Sequence, residues 1–144
     1  MVPMTPRTVS AAATVGPAAG GPPPGRALPH PDPADIRLAE VLHALSDPMR
    51  LIVVRRLARA DAEVACCDVP LPVTKSTTTH HFRVLREAGV IAQNYRGTSK
   101  MNALRRAELD RLFPGLLGHV LAAADGQAAR LDEPPLPLRA PAYV

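Results

Sequence analysis

Proline placement sets the outer limits of any fold this chain can adopt. Nine of its 17 prolines fall between Pro3 and Pro33, and four between Pro134 and Pro141. Each one removes a backbone donor and disfavours helix in the residue before it. Residues 1–33 are otherwise rich in Ala and Gly, with Arg7, Arg26 and Asp32 as their only strongly charged side chains. Such a segment buries too little apolar surface to offset the entropy of ordering it, so it reads as a disordered arm. Residues 126–144 read as a disordered tail. About residues 34–125 remain for a single domain with one modest core. A domain that small has little interior for a deep active site, and pairing between subunits would add buried surface.

Within that stretch, apolar spacing and turn chemistry alternate. Ile36, Ala39, Leu42 and Leu45 recur at three-residue steps, with Leu38 and Val41 widening the stripe, which predicts a first helix over residues 34–45. So broad a band suits packing on two sides and hints at a subunit interface. Asp47 is a good N-cap and Pro48 fits the first helical position, so a second helix follows. It turns Met49, Ile52, Val53 and Leu57 inward and leaves Arg50, Arg55, Arg56 and Arg59 to water. Over residues 63–73, Pro70 and Pro72 allow at most a short helical turn near residues 64–68, then extended chain.

A third helix, capped by Thr74 or Ser76, is expected to run to about Ala88, with Gly89 as its stop. Thr78, Phe82 and Leu85 share one face; Lys75, Thr79, His80, Arg83 and Arg86 lie mostly off it. Two β-prone runs, residues 90–95 and 101–104, flank Arg96-Gly97-Thr98-Ser99, whose glycine suits a tight hairpin. This hairpin reads as a wing. From Ala107 onward, Leu109, Leu112, Phe113, Leu116, Leu117, Val120 and Leu121 keep helical spacing, and Pro114-Gly115 predicts a kink or break at Phe113. That apolar surplus exceeds what one small core needs and is best used in dimerisation with the first helix. The fold class is mainly α: a winged helix-turn-helix with disordered Pro-rich termini.

Charge follows the same stretch. From Lys75 to Arg106 there are Lys75, Arg83, Arg86, Arg96, Lys100, Arg105 and Arg106 against Glu87 alone, so this segment carries the positive excess of a chain whose net charge is +4. A local basic island beside a near-neutral remainder is the footprint of a polyanion partner. A helix fits the major groove, and residues near its N-terminus meet base edges while its dipole favours phosphate. Lys75-Ser76-Thr77-Thr78-Thr79-His80-His81 places short donors and acceptors where such contacts form, and Arg83, one turn later, reaches a base or a phosphate. Consecutive hydroxyl residues are poor helix formers, so their presence points to a selected surface. His81, beside Phe82, is expected to turn partly inward instead of reading a base.

Two segments carry a family likeness. His43-Ala44-Leu45-Ser46-Asp47-Pro48-Met49-Arg50-Leu51 and Ser76-Thr77-Thr78-Thr79-His80-His81-Phe82-Arg83-Val84-Leu85-Arg86-Glu87-Ala88-Gly89-Val90-Ile91 resemble the ArsR/SmtB family of dimeric winged-helix repressors. The likeness covers about residues 35–124. It implies a homodimer built by the first and last helices, a double-stranded DNA operator, and repression relieved by an inducer. By position, Ser76, Thr77, Thr79, His80 and Arg83 correspond to the reading surface, and Phe82 and Leu85 to core. Arg96 and Lys100 correspond to wing contacts with the phosphate backbone or the minor groove.

The chain departs from that family at its sensor. Members with a metal site use a Cys-x-Cys pair ahead of the reading helix, or Asp/His sets on the last helix. Here Cys66 and Cys67 are adjacent, so on a helix they would point about 100° apart. Asp110 and His119 are too far apart in sequence to share one ion on one helix. No cofactor is expected. Cys66 and Cys67 remain candidates for a thiol-redox or metal-responsive switch, and a degenerate winged helix acting as a protein-interaction module is a further alternative. Catalysis finds no support: there is no Gly-rich phosphate loop, no His-Glu-x-x-His, and no nucleophile with an evident base. No apolar run is long enough to span a membrane, no secretory signal is evident, and the cysteines make no disulfide framework, so the expected compartment is the cytoplasm.

Overall fold

A computed structural model describes residues 28–60 and 62–134. In order they form α1 (Leu38–Leu45), α2 (Pro48–Ala58), β1 (Val64–Ala65), α3 (Lys75–Glu87), β2 (Ile91–Arg96), β3 (Ser99–Leu104), α4 (Arg106–Leu112) and α5 (Leu116–Arg130), with short 3-10 turns at Pro33–Asp35 and Cys66–Asp68. The expected arm over residues 1–27 and the tail over residues 135–144 lie outside the described residues.

The α1–α2 corner is set by capping. The Asp47 carboxylate accepts from the amides of Met49 and Arg50 at 2.8 and 3.2 Å, with Pro48 at the first helical position. Arg50 was expected in water and is instead buried. The reason is the end of α1 beside it, whose last carbonyls need donors. Arg50 Nε donates to Ala44 O at 2.7 Å and Nη2 to His43 O at 3.2 Å. Arg55, also expected wet, is buried because its Nε meets Asp125 Oδ1 at 2.8 Å and ties α2 to α5. Arg56 is half-buried and Arg59 exposed.

The first helix begins later than its spacing predicts. Ile36 and Arg37 are extended, at ψ 123° and 136°, which swings the Ile36 side chain into the core. There it lies over Gly89, whose φ of +84° is the left-handed conformation that ends α3. Val41, Ala44 and Leu45 form the buried face of α1, whereas Leu38 and Leu42, one turn apart, stay 46% and 45% exposed. The core itself joins Val53 and Val54 of α2, Phe82 and Leu85 of α3, and Ile91 of β2, closed by Leu109 and Leu117.

β2 and β3 form the expected hairpin, in register from Ile91↔Leu104 to Arg96↔Ser99, with Gly97 at φ +62° in the two-residue turn. β1, which is too short to leave a periodic signal, adds to the far side of β3 through Val64↔Asn102 and Ala65↔Met101. Strand alternation puts Gln93, Tyr95, Lys100 and Asn102 on the same face as buried Ile91. The C-terminal helix breaks as expected, with Gly115 at φ +79° between α4 and α5. α5 then continues to Arg130, past the expected end near Asp125, with Ala128 still buried.

Residues 28–33, assigned in sequence to the disordered arm, are instead tied to the wing. β2 lies at the edge of the sheet, so its outward amides need partners. The Gln93 amide donates to His30 Nε2 at 2.9 Å, and Arg105 Nη1 donates to Pro31 O at 2.8 Å. His30 Nδ1 lies 2.8 Å from Leu28 O, which fixes the neutral tautomer with its proton on Nδ1. Burial pulls His30 below the ordinary imidazole range, with Arg105 and Arg86 adding repulsion and the Leu28 carbonyl opposing. A His whose folded form prefers the neutral ring holds this strap above the ordinary imidazole pKa and loses it as pH falls. The Gln93 amide resonance, followed from pH 8 to pH 5, is expected to move with a midpoint below that of a free imidazole. In His30→Ala that transition disappears; a transition that persisted would assign it to another group.

Candidate nucleic-acid interface

Thr74 caps α3: its hydroxyl accepts from the Thr77 amide at 3.2 Å and lies 2.8 Å from the Thr77 hydroxyl. This explains part of the hydroxyl run locally. Beyond the cap, Lys75, Ser76, Thr77, Thr79, His80 and Arg83 are all exposed. The Thr79 hydroxyl donates to Lys75 O at 3.0 Å, so its oxygen is presented outward as an acceptor. Arg83 is paired only loosely, with Glu87 Oε1 at 3.5 Å and both side chains in water. His81 does turn inward: it is buried, with Nδ1 3.5 Å from Arg50 Nη1 and 3.9 Å from Asp47 Oδ1.

On the wing, Arg96 is exposed beside the turn, with Nε 3.1 Å from Glu63 Oε2. Lys100 lies on the inner face, its Nζ 5.8 Å from the Tyr95 ring centroid. A cleft of about 1000 Å³ opens between α3, the wing and the segment after β1. It gathers Lys75, Thr79, Arg83 and Lys100 along its walls, and none of the described residues that line it is a carboxylate. Ser76, Thr77, His80 and Arg96 are not among its lining residues and face solvent around it. The expected contact residues therefore form a cationic, hydroxyl-edged surface across one helix and one hairpin.

Cys66 and Cys67 sit at the back of this surface. Cys66 is half-buried with its Sγ 3.1 Å from Asn102 Nδ2, and burial pushes its thiol pKa up; Cys67 is exposed. A raised thiol pKa lowers thiolate content, which works against metal ligation and oxidation at Cys66. Among the described residues, no group of three or more His, Cys, Asp or Glu side chains could hold a metal ion.

Arg86, placed off the core face by its helical position, is buried because the wing folds back over it. Its Nη1 donates to Gln93 Oε1 at 2.7 Å, Gln93 Nε2 to Asn102 Oδ1 at 2.7 Å, and Asn102 Nδ2 to Val64 O at 3.0 Å. The available signal was the strand alternation, which puts Gln93 and Asn102 on the same face as Ile91 and Leu104.

No helix among the described residues is long and apolar enough to cross a membrane. No protein-family model matches the chain. It is 35% identical to the HTH-type transcriptional regulator YceK of Bacillus subtilis over 81 residues, covering 55% of this chain and 81% of that protein. It is 30% identical over 63 residues to an HTH-type transcriptional regulator of Methanocaldococcus jannaschii, covering 43% of this chain and 71% of that one. Among solved structures it is similar to an ArsR-like transcriptional regulator from Rhodococcus sp. RHA1, with 24% identity, 67% of this chain and 90% of that chain covered, and a TM-score of 0.46.

Proposed function

The chain belongs to the HTH-type transcriptional regulators, a non-enzymatic class that binds DNA, and on that premise we propose that it is a homodimeric repressor that lays α3 in the major groove of a two-fold operator. The observation that carries this reading is the exposed front of α3, where Lys75, Ser76, Thr77, Thr79, His80 and Arg83 all face solvent beside a wing bearing Arg96 and Lys100. Ser76, Thr79, His80 and Arg83 are the base-reading candidates; Lys75, Arg96 and Lys100 supply phosphate contacts. The exposed leucines of α1, Leu38 and Leu42, and the half-buried Leu116 and Val120 of α5 support a dimer built by the first and last helices. Such a regulator works where its operator is, in the cytoplasm.

Phosphate neutralisation makes affinity salt-dependent. Purified protein is expected to bind fluorescent genomic fragments with log K falling linearly in log salt, with a slope of about −0.9 per phosphate contact. A salt-sensitive complex with some fragments far tighter than the rest is the predicted result. A protein-interaction module would show no such complex, and that outcome would replace the repressor reading.

A further inference from the structure

The cleft between α3 and the wing has a floor that DNA contact does not explain. Arg86 lines it and is buried, with one edge of its guanidinium bonded to Gln93 through Nη1. Its Nε is wholly buried with no hydrogen-bond partner among the described residues, and no carboxylate among them pairs with the guanidinium. An unpaired buried donor costs free energy, so native structures rarely leave one without a use. A guanidinium without a carboxylate partner is a charged donor left for an anion, and charge-assisted hydrogen bonds to a carboxylate are among the strong ones. In the same cleft, Val69, Leu71 and Phe82 supply apolar walls, Lys100 and Arg83 add positive charge, and none of the described residues that line it is an acid. The cleft, at about 1000 Å³, is as large as small-molecule sites are, and it mixes apolar lining with a few polar groups as such sites do.

We infer that this cleft is an effector site for an amphipathic organic anion, a carboxylate with an apolar body, whose head group is drawn to the Arg86 guanidinium. The site deepens the repressor reading and rests on it for its consequence. Its walls are the reading helix, through Thr79 and Arg83, and the wing, through Tyr95 and Lys100. An occupant wedged between them changes how helix and hairpin face the groove, so it and DNA bind at each other's expense. By linkage, the factor by which the anion weakens DNA binding equals the factor by which DNA weakens anion binding.

The test uses the full chain, ¹⁵N-labelled, with 1-naphthoate as probe, its neutral amide 1-naphthamide and inorganic phosphate as comparators. The expected result is a saturable shift of the Arg86 Nε–H and Gln93 side-chain amide resonances with naphthoate. Naphthamide and phosphate should bind at least about tenfold more weakly, since one lacks the charge and the other the apolar body. Arg86→Gln should abolish the naphthoate response; because that variant touches a buried network, the naphthoate–naphthamide comparison on the unaltered chain decides the matter if it fails to fold. No shift at Arg86, or equal binding of naphthamide, would overturn the site. Phosphate binding as tightly as naphthoate would also overturn it and would make the cleft a plain seat for backbone phosphate. Saturating naphthoate should weaken binding to a DNA fragment by about fivefold or more. A chain that shifts at Arg86 but binds no DNA would retain the site and lose the repressor reading. One that binds DNA without an Arg86 shift would do the reverse.

Discussion

Gly89→Ala is expected to lower the thermal midpoint by roughly 12–25 °C, since about 3 kcal/mol is lost at 4–8 °C per kcal/mol for a domain of this size. Two causes add. At φ +84° a Cβ forces a left-handed conformation that costs about 1–2 kcal/mol for a residue other than glycine. That Cβ would also lie 2.6 Å from Ile36 Cγ1 and 2.7 Å from Ile36 Cδ1. Ile36 is buried and cannot swing into solvent, so the strand-like segment ahead of α1 must shift, an overpacking cost of typically about 1–3 kcal/mol. Shortening the obstructing side chain separates the two. In Ile36→Ala the cavity is itself destabilising, but adding Gly89→Ala to it should cost only the conformational part. Thermal unfolding of the four proteins measures this, and simple additivity would contradict the contact.

The same corner shows what sequence could and could not convey. Gly89 was legible as a helix stop because left-handed φ is a local demand that glycine alone meets cheaply. Asp47 was legible as a cap for the same kind of reason, Thr74 as one of two candidates with Ser76, and so was the break at Pro114-Gly115. Arg50, Arg55 and Arg86 were misplaced because a charged side chain goes inside only when a distant partner waits there. Their partners are the end of α1, Asp125 and Gln93, none of which a helical periodicity reveals. His30 escaped likewise: a proline-rich flank gives no hint that it meets an edge strand. The exposed polar front of α3 was readable because it requires only that a helix exist and that its polar side face water, as Lys75, Ser76, Thr79, His80 and Arg83 do.

Arg83→Ala is expected to cut the ratio of operator to scrambled-DNA affinity by roughly 5- to 150-fold, matching the 1–3 kcal/mol that a good side-chain–base pair contributes. Arg83 lies two turns into α3, is exposed, and among the described residues is held by a solvent-screened contact with Glu87, so it is released at little cost. A residue that merely neutralised phosphate would weaken both DNAs alike and leave the ratio intact. Competition binding at one fixed salt concentration separates these outcomes, and an unchanged ratio would make Arg83 a backbone contact.

On the proposed reading, the front of α3 enters a DNA groove in two symmetry-related copies. A cleavage reagent attached at Ser76→Cys, in protein whose Cys66 and Cys67 have first become Ser, reports that position directly on a selected operator. Cuts should fall in two clusters centred about 10–10.5 base pairs apart, or a multiple of that, within facing major grooves. Diffuse cutting along the duplex, or none while the protein remains bound, would contradict it.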